Sequence, residues 1–193
     1  MKFKPLGVPA AIGAVLLVCG CSPEKGGRDY VIPAKVCDVA VEADIVESLL
    51  PVGESLEEER EVVGISPGEG EQCSLDIDKK LGLTIKISRQ GARWRDALEA
   101  ADKYSNLKRV SLAGDVESAG VADDGAIVWF RCIPNSGQPF TESPTGVNHQ
   151  SLVMELFVGD RAKGPDDPEQ QHKDIEKFVR YYVPGVEKRW CDS

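Results

Sequence analysis

Residue types on which enzyme active sites depend are scarce in this 193-residue chain. Only two histidines occur, His149 and His172, and neither belongs to a metal-binding spacing such as HExxH. A P-loop and a dinucleotide-binding glycine motif are also missing. These absences argue against metal-dependent or nucleotide-dependent catalysis, and we expect a non-catalytic protein that uses no cofactor and no metal.

Basic residues are also in short supply. Lysine and arginine number 23 against 32 aspartates and glutamates, which gives a net charge of −9 at neutral pH. A protein that binds nucleic acid, or docks electrostatically on anionic lipid, needs a basic surface. The composition therefore predicts that nucleic acid is not a partner.

The N-terminus carries the most specific pattern of the chain. Lys2 and Lys4 precede an apolar stretch from Leu6 to Val18, and the segment then ends with Gly20-Cys21. The stretch is shorter than the about twenty residues of a spanning helix, so a cleaved signal peptide fits better. An apolar residue, a small residue and glycine before a cysteine are typical of bacterial lipoproteins. We predict a signal peptide over residues 1–20, lipidation of Cys21, and a position on the outer face of the cell membrane.

Two alternatives are open for this segment. An ordinary secretory signal cleaved near Gly20 would leave Cys21 without a lipid, and Cys19 could be the lipidated residue. Val18 is too large for the position before a lipidated cysteine, which favours Cys21. After cleavage we expect a polar tether over residues 21–29 and a single domain over residues 30–193, which is long enough to bury one core.

Four further cysteines are present in that domain: Cys37, Cys73, Cys132 and Cys191. An even number of cysteines in an exported chain indicates disulfides. A zinc site would favour a close pair such as CxxC, and these cysteines are far apart in sequence. Of the three pairings that four cysteines allow, we favour Cys37–Cys73 with Cys132–Cys191, because each half of the domain then closes on itself.

Hydrophobic periodicity predicts an α+β domain in which helices pack on a largely antiparallel sheet. Helices are expected at about 40–50, at about 92–105, and from an acidic cap at Asp167 to Pro184-Gly185. Strands are expected at residues 61–66, 73–78, 83–87, 110–117, 126–134 and 152–158, with a tight turn at 123–125. The order of elements suggests an internal duplication, although the residues themselves do not repeat.

Two segments are expected to be exposed loops and to make the contacts of the domain. They are the glutamate-rich segment Glu54–Glu61 and the proline-containing segment Gln138–His149. Loops on a rigid sheet are where variable contacts are usually made. The acidic segment could bind a cation instead, but a solvated loop is the simpler interpretation.

A short catalytic pattern occurs at residues 105–108. Ser105 and Lys108 have the SxxK spacing of penicillin-interacting enzymes, in which the lysine can activate the serine. The SDN and KTG elements that accompany it are missing, so an enzyme is favoured only if both residues and a carboxylate meet in a cleft. Both histidines are expected to face solvent. Trp94 and Trp129 are expected to lie in the core, and Trp190 is expected to pack over the disulfide of the adjacent Cys191.

Several segments together resemble a group of small streptomycete lipoproteins. They are Tyr30–Cys37, Leu49–Gly53, the segment from Cys73 to Thr84, and Asp124–Trp129. The similarity extends over nearly the whole mature chain, but the shared positions are cysteines, turns and core residues. The resemblance implies an actinobacterial cell-envelope lipoprotein with the disulfides described above, and it provides no catalytic residue.

These patterns lead to one functional expectation and one alternative. We expect a lipoprotein, attached to the membrane through the lipid on Cys21, whose domain binds an unidentified envelope protein or component. The alternative is a lipoprotein that binds a small molecule or lipid in a pocket between the sheet and a helix.

Overall fold

A computed structural model describes residues 27–63, 70–90, 96–132, 151–159 and 164–191. The predicted signal peptide, Cys21, the segment Gln138–His149 and Trp94 lie outside these residues, and so do most residues of the predicted tether. Within the described ranges, no helix is both long enough and apolar enough to cross a membrane.

The described residues contain a seven-stranded sheet, a separate two-stranded hairpin, two α-helices and one 3₁₀ helix. The elements are β1 (Lys35–Val36), β2 (Val39–Ala40), α1 (Ala43–Glu47), β3 (Leu56–Val62), β4 (Gly70–Ile77), β5 (Lys80–Gln90), the 3₁₀ helix (Ala97–Lys103), β6 (Lys108–Val110), β7 (Val116–Val121), β8 (Gly125–Arg131), β9 (Ser151–Val158) and α2 (Pro168–Trp190).

The large sheet is antiparallel throughout and has the strand order β3-β4-β5-β9-β8-β7-β6. Two meanders, one from β3 to β5 and one from β6 to β9, meet where β9 pairs with β5. Strands β1 and β2 form a separate hairpin. The predicted α+β fold with a largely antiparallel sheet is therefore confirmed.

The main core lies between α2 and one face of this sheet. Alternation along β4 places Cys73, Leu75 and Ile77 on that face, and all three are buried. The β1–β2 hairpin and α1 belong to the same core, and helix α2 adds a continuous buried stripe that packs on β7 and β8: Ile175, Phe178, Val179, Tyr182, Val183 and Val186.

A smaller core covers half of the opposite face. The 3₁₀ helix packs over β8 and β9, where Tyr104 stacks on Phe157 with ring centroids 5.1 Å apart. Trp129 is buried in this cluster, as predicted, and Trp190 is buried in the main core. Strand β8 is covered on both faces, whereas β3 is exposed.

Three predicted elements differ in the structure. The glutamate-rich segment predicted as a loop is instead the edge strand β3, whose residues need not alternate because neither of its faces is buried. The predicted strand 110–117 consists of the end of β6, a connection and the start of β7. The described part of the second predicted helix is a 3₁₀ helix, in which Ala97 and Ala100 turn inward three residues apart and Leu98 remains exposed.

Both α-helices have other bounds than predicted. Helix α1 is only five residues long. Helix α2 does not end at Pro184-Gly185 but continues to Trp190. The burial of Val186 and Trp190 beyond the proline explains this extension, because tertiary packing outweighs the local stop signal.

Candidate functional site

The four described cysteines form the two predicted disulfides. Cys37–Cys73 joins the turn between β1 and β2 to β4, with 5.8 Å between the Cα atoms. Cys132–Cys191 joins the residue after β8 to the C-cap of α2, with 4.7 Å between the Cα atoms. Both distances are ordinary for disulfides. The described domain therefore offers no free thiol as a nucleophile or metal ligand.

The serine of the SxxK pattern is hydrogen-bonded to a carboxylate and not to the lysine of the pattern. The Ser105 hydroxyl donates to Oδ2 of Asp124 at 3.0 Å, and the Ser105 N–H donates to Oδ1 of the same residue at 2.8 Å. Asp124 is buried in the turn between β7 and β8. Lys108 lies at the exposed start of β6. These contacts fix the chain after the 3₁₀ helix to the turn.

His172 contacts the same turn, so the prediction that it faces solvent is wrong. Its Nδ1 lies 3.1 Å from Oδ1 of Asp123, and its side chain is only 15% exposed. Asp123 also accepts weak hydrogen bonds from the Asn106 amide at 3.3 and 3.4 Å. Ser105 and His172 thus bind different carboxylates, and these contacts join three elements at one end of the sheet without forming a Ser-His-Asp relay. His149 lies outside the described residues.

A further pattern, Gly64-Ile65-Ser66-Pro67-Gly68, matches the GxSxG motif of hydrolases and lies outside the described residues. In hydrolases that motif joins a strand to a helix. Here it lies between β3 and β4, which pair antiparallel, so the flanking elements do not fit that context. Among the described residues, no group of three or more His, Cys, Asp and Glu is placed to hold a metal ion.

A shallow groove of about 430 Å³ lies beside β6 and β7. Arg109, Leu112 and Val116 are among its lining residues. The guanidinium of Arg109 is bound to Asp96, and it also donates to Ser118 at 3.2 Å. The guanidinium at this groove is therefore already engaged by groups of the domain itself.

The first described residues of the chain are hydrogen-bonded to the segment that precedes β3. Arg28 donates to the carbonyl oxygen of Leu50 at 2.7 Å, and the Asp29 N–H donates to the carbonyl oxygen of Gly53 at 2.9 Å. Both residues belong to the segment that the sequence assigns to the tether, so the last part of that segment packs on the domain. We call this end of the sheet, with Arg28, Asp29 and Gly53, the entry pole.

Asp78, in the turn between β4 and β5, stabilises the same pole. Its Oδ1 accepts hydrogen bonds from the N–H groups of Ser55 at 2.9 Å and Glu54 at 3.0 Å. These donors favour the ionised form and lower the pKa of the Asp78 carboxyl below its usual range. The carboxylate therefore fixes the start of β3 to the β4–β5 turn.

Charges are paired on one face of β3 and unpaired on the other. Arg60 forms ion pairs with Asp38 and Glu58, and its hydrogen bond is the main reason why the pKa of Asp38 is lowered. By contrast, no cation among the described residues pairs with the side chains on the other face of the strand: Glu57, Glu59 and Glu61. The face of β3 that carries Glu57, Glu59 and Glu61 is therefore an acidic surface without a counter-charge among the described residues.

Comparison with protein-family models, curated proteins and solved structures finds no match to this chain. The functional argument consequently depends on the residues and contacts described above.

Proposed function

We propose that this protein is an actinobacterial cell-envelope lipoprotein. It is attached to the outer face of the membrane through Cys21, and its domain binds a protein or another envelope component without catalysing a reaction. The observation that carries the proposal is the pairing of all four described cysteines. Stable disulfides belong to oxidising, extracytoplasmic compartments, which agrees with the signal and lipidation pattern that ends at Cys21.

The attachment of the chain at the entry pole also supports an anchored domain. The contacts of Arg28 and Asp29 begin only seven residues after Cys21 in the sequence. Seven residues span at most about 25 Å when fully extended. A lipid on Cys21 would therefore keep the domain close to the bilayer, where a partner in the envelope would meet it.

The contacts of the reactive side chains favour binding over catalysis. Ser105 and His172 are each held by a separate aspartate, and both aspartates serve to fasten elements together. Large side chains that α2 turns toward the core, such as Phe178 and Tyr182, are fully buried. A ligand pocket between helix and sheet is therefore less favoured than a surface that binds a partner.

Metabolic labelling with radioactive palmitate tests the anchor. In an actinobacterial host, wild-type protein should incorporate label and sediment with membranes, whereas Cys21→Ala should do neither. Cys19→Ala is the matched control, because alanine keeps a small residue two positions before Cys21 and leaves the lipidation pattern intact. Labelling that persists in Cys21→Ala and disappears in Cys19→Ala would move the anchor to Cys19. An unlabelled wild-type protein would overturn the lipoprotein proposal.

Chemical crosslinking in intact cells, followed by purification of the solubilised protein, tests the binding function. A reproducible crosslinked species that requires the intact disulfides is expected, because the domain and not the lipid makes the contact. The control is the same protein reduced before crosslinking. The absence of any reproducible species with folded protein would contradict the proposed function.

A further inference from the structure

We infer that the open edge of β3 is a docking site for an extended basic segment of a partner protein, which adds to the sheet as a further strand. This inference rests on the proposed binding function and names its surface and the chemistry of its partner. Strand addition obtains affinity from main-chain hydrogen bonds and specificity from alternate side chains.

The register of β3 and β4 determines which backbone groups are open. The Asp78 N–H donates to the Ser55 carbonyl oxygen at 3.1 Å, and the Val63 N–H donates to the Gly70 carbonyl oxygen at 3.0 Å. Opposite residues in an antiparallel ladder alternate between bonded and non-bonded pairs. The odd-numbered residues from 55 to 63 are thus bonded to β4. The N–H and C=O groups of the residues between them point away from it: Leu56, Glu58, Arg60 and Val62.

The open edge is long enough to pair with a peptide. Strand β3 has seven residues, whereas β6 at the opposite edge of the sheet has three. In the described part of the chain, no other element donates to or accepts from the outward backbone groups of β3. Such an edge is a template for another strand unless it is blocked.

Charge defines the partner. Glu57, Glu59 and Glu61 share the face of β3 that is opposite to the main core, since their neighbours on β4 include Asp76 and not the buried Cys73. A strand that pairs with β3 would place its alternate side chains directly beside these carboxylates. Opposite charges in such cross-strand positions are favourable. Lysine or arginine at every second residue therefore matches this edge.

The same carboxylates argue against a second copy of this chain as the occupant. Two β3 strands that pair through their outward groups would bring odd-numbered residues opposite each other. In the register centred on Glu59, Glu59 would face Glu59 and Glu57 would face Glu61, and a shift by two residues would still place Glu59 opposite Glu57 or Glu61. Like charges in directly opposite positions are destabilising. Charged residues on an edge are also a known protection against self-association, and here that protection leaves the edge open to a basic strand.

Binding of a synthetic peptide tests the inference. The probe is an acetylated and amidated octapeptide of alternating lysine and threonine, titrated into the detergent-solubilised full mature protein at low salt. The first control is the same peptide with the threonine backbone nitrogens methylated, which keeps its charge but removes the donors that face β3, because the lysines lie opposite the odd-numbered glutamates in non-bonded pairs. We expect the unmodified peptide to bind. The methylated peptide should bind roughly tenfold more weakly or worse, because it loses at least one hydrogen bond to β3.

Val62→Pro tests the backbone edge from the protein side. The N–H of Val62 points outward, so proline would remove a donor for the partner and no bond to β4. The Val62 side chain is 67% exposed, so little packing is lost. Val62→Thr is the matched control, because it keeps the N–H and the β-branched shape. We expect Val62→Pro to weaken binding roughly tenfold and Val62→Thr to leave it unchanged.

Replacement of Glu57, Glu59 and Glu61 by glutamine tests the role of charge. Loss of three opposite-charge pairs should weaken the peptide roughly tenfold and remove most of the salt dependence of binding. Far-ultraviolet circular dichroism and urea unfolding would confirm that the variants are folded.

Four results would overturn the inference: no binding at low salt, equal binding of the methylated peptide, equal binding by Val62→Pro, or sedimentation as a dimer that Val62→Pro dissociates. These outcomes are distinct from a failure of the proposed function. If the crosslinked species in cells forms equally with wild type and Val62→Pro, the protein binds a partner but not through β3.

Discussion

Replacement of Pro184 by alanine should stabilise the domain. Pro184 lies in the interior of α2, between Pro168 and Trp190. A proline there has no N–H to donate to the carbonyl oxygen of Arg180 one turn earlier, and its ring crowds that carbonyl. Pro184 is exposed, so alanine at this position would not disturb the packed stripe of the helix.

The size of the effect follows from helix propensity. An interior proline is about 3 kcal/mol less favourable than alanine. Solvent near this exposed position can bond to the Arg180 carbonyl, which reduces the cost of the missing hydrogen bond. We therefore expect Pro184→Ala to raise the free energy of unfolding by about 1–3 kcal/mol.

The adjacent glycine provides a matched test with the opposite sign. Propensity alone predicts that Gly185→Ala stabilises a helix by about 1 kcal/mol. However, a Cβ atom on residue 185 would lie 2.3 Å from Cγ1 of Val39, which is buried on β2. Overpacking of this kind costs about 1–3 kcal/mol. Gly185→Ala should therefore destabilise the wild type, and it should become stabilising once Val39→Ala has removed the contact.

Urea unfolding with both disulfides intact, followed by circular dichroism, measures these changes. The midpoint should increase for Pro184→Ala and decrease for Gly185→Ala, with an unchanged slope. A Pro184→Ala protein that is no more stable than wild type would refute the continuity of α2 through residue 184. A stabilising Gly185→Ala in the wild-type background would refute the close contact between α2 and β2.

Three further predictions concern the disulfides, a buried tyrosine and a capping carboxylate. The double change Cys132→Ala with Cys191→Ala removes a disulfide that joins residues 59 positions apart in the sequence. It should lower the free energy of unfolding, measured by urea titration, by about 4 kcal/mol. A loss below about 1 kcal/mol would contradict this prediction. Tyr182→Phe removes the buried hydroxyl that donates to the Val36 carbonyl oxygen at 3.0 Å, and should cost about 1–3 kcal/mol, whereas Tyr181→Phe on the exposed side should cost little. Because the pKa of Asp78 is lowered in the folded state, its stabilising contribution is present above its unfolded pKa of about 4 and is lost as the pH falls through the folded pKa. Asp78→Asn should therefore melt below wild type at pH 7 and together with it near pH 2; an equal difference at both pH values would show that the carboxylate charge is not the cause.

The residues that could be predicted from sequence are those with a local or covalent signature. Alternating apolar residues identified β5 and β9, because one or both faces of these strands are buried. The even cysteine count and the division of the domain into two halves were sufficient to predict both disulfides. The acidic cap and proline at the start of α2 identified its first turn, where Asp167 accepts from the Gln170 N–H at 3.0 Å.

The features that sequence reasoning missed depend on contacts between distant residues. Strand β3 has no apolar alternation because it is an edge strand with both faces exposed, so its glutamates suggested a loop. Its pairing with β4 becomes visible only once the sheet is assembled. His172 resembles a solvent-exposed residue of a polar helix start, yet its contact with Asp123 is made across 49 residues of sequence. The one sequence signal for β3 is the pair Val62-Val63, which favours a strand. This pair lies at the end of β3, so it does not indicate where the strand begins.

The two proposals place constraints on each other through the geometry of the sheet. Strand β3 begins at Leu56, near the entry pole where Asp29 is bonded to Gly53, and its seven residues end at Val62. At about 3.3 Å per residue the strand is about 23 Å long. If Cys21 carries the lipid, the tether keeps the entry pole within about 25 Å of the bilayer, and the far end of the open edge lies about 20 Å along the strand from that pole. A basic segment could therefore reach this edge from the aqueous side, without competing with the lipid anchor for the same end of the domain.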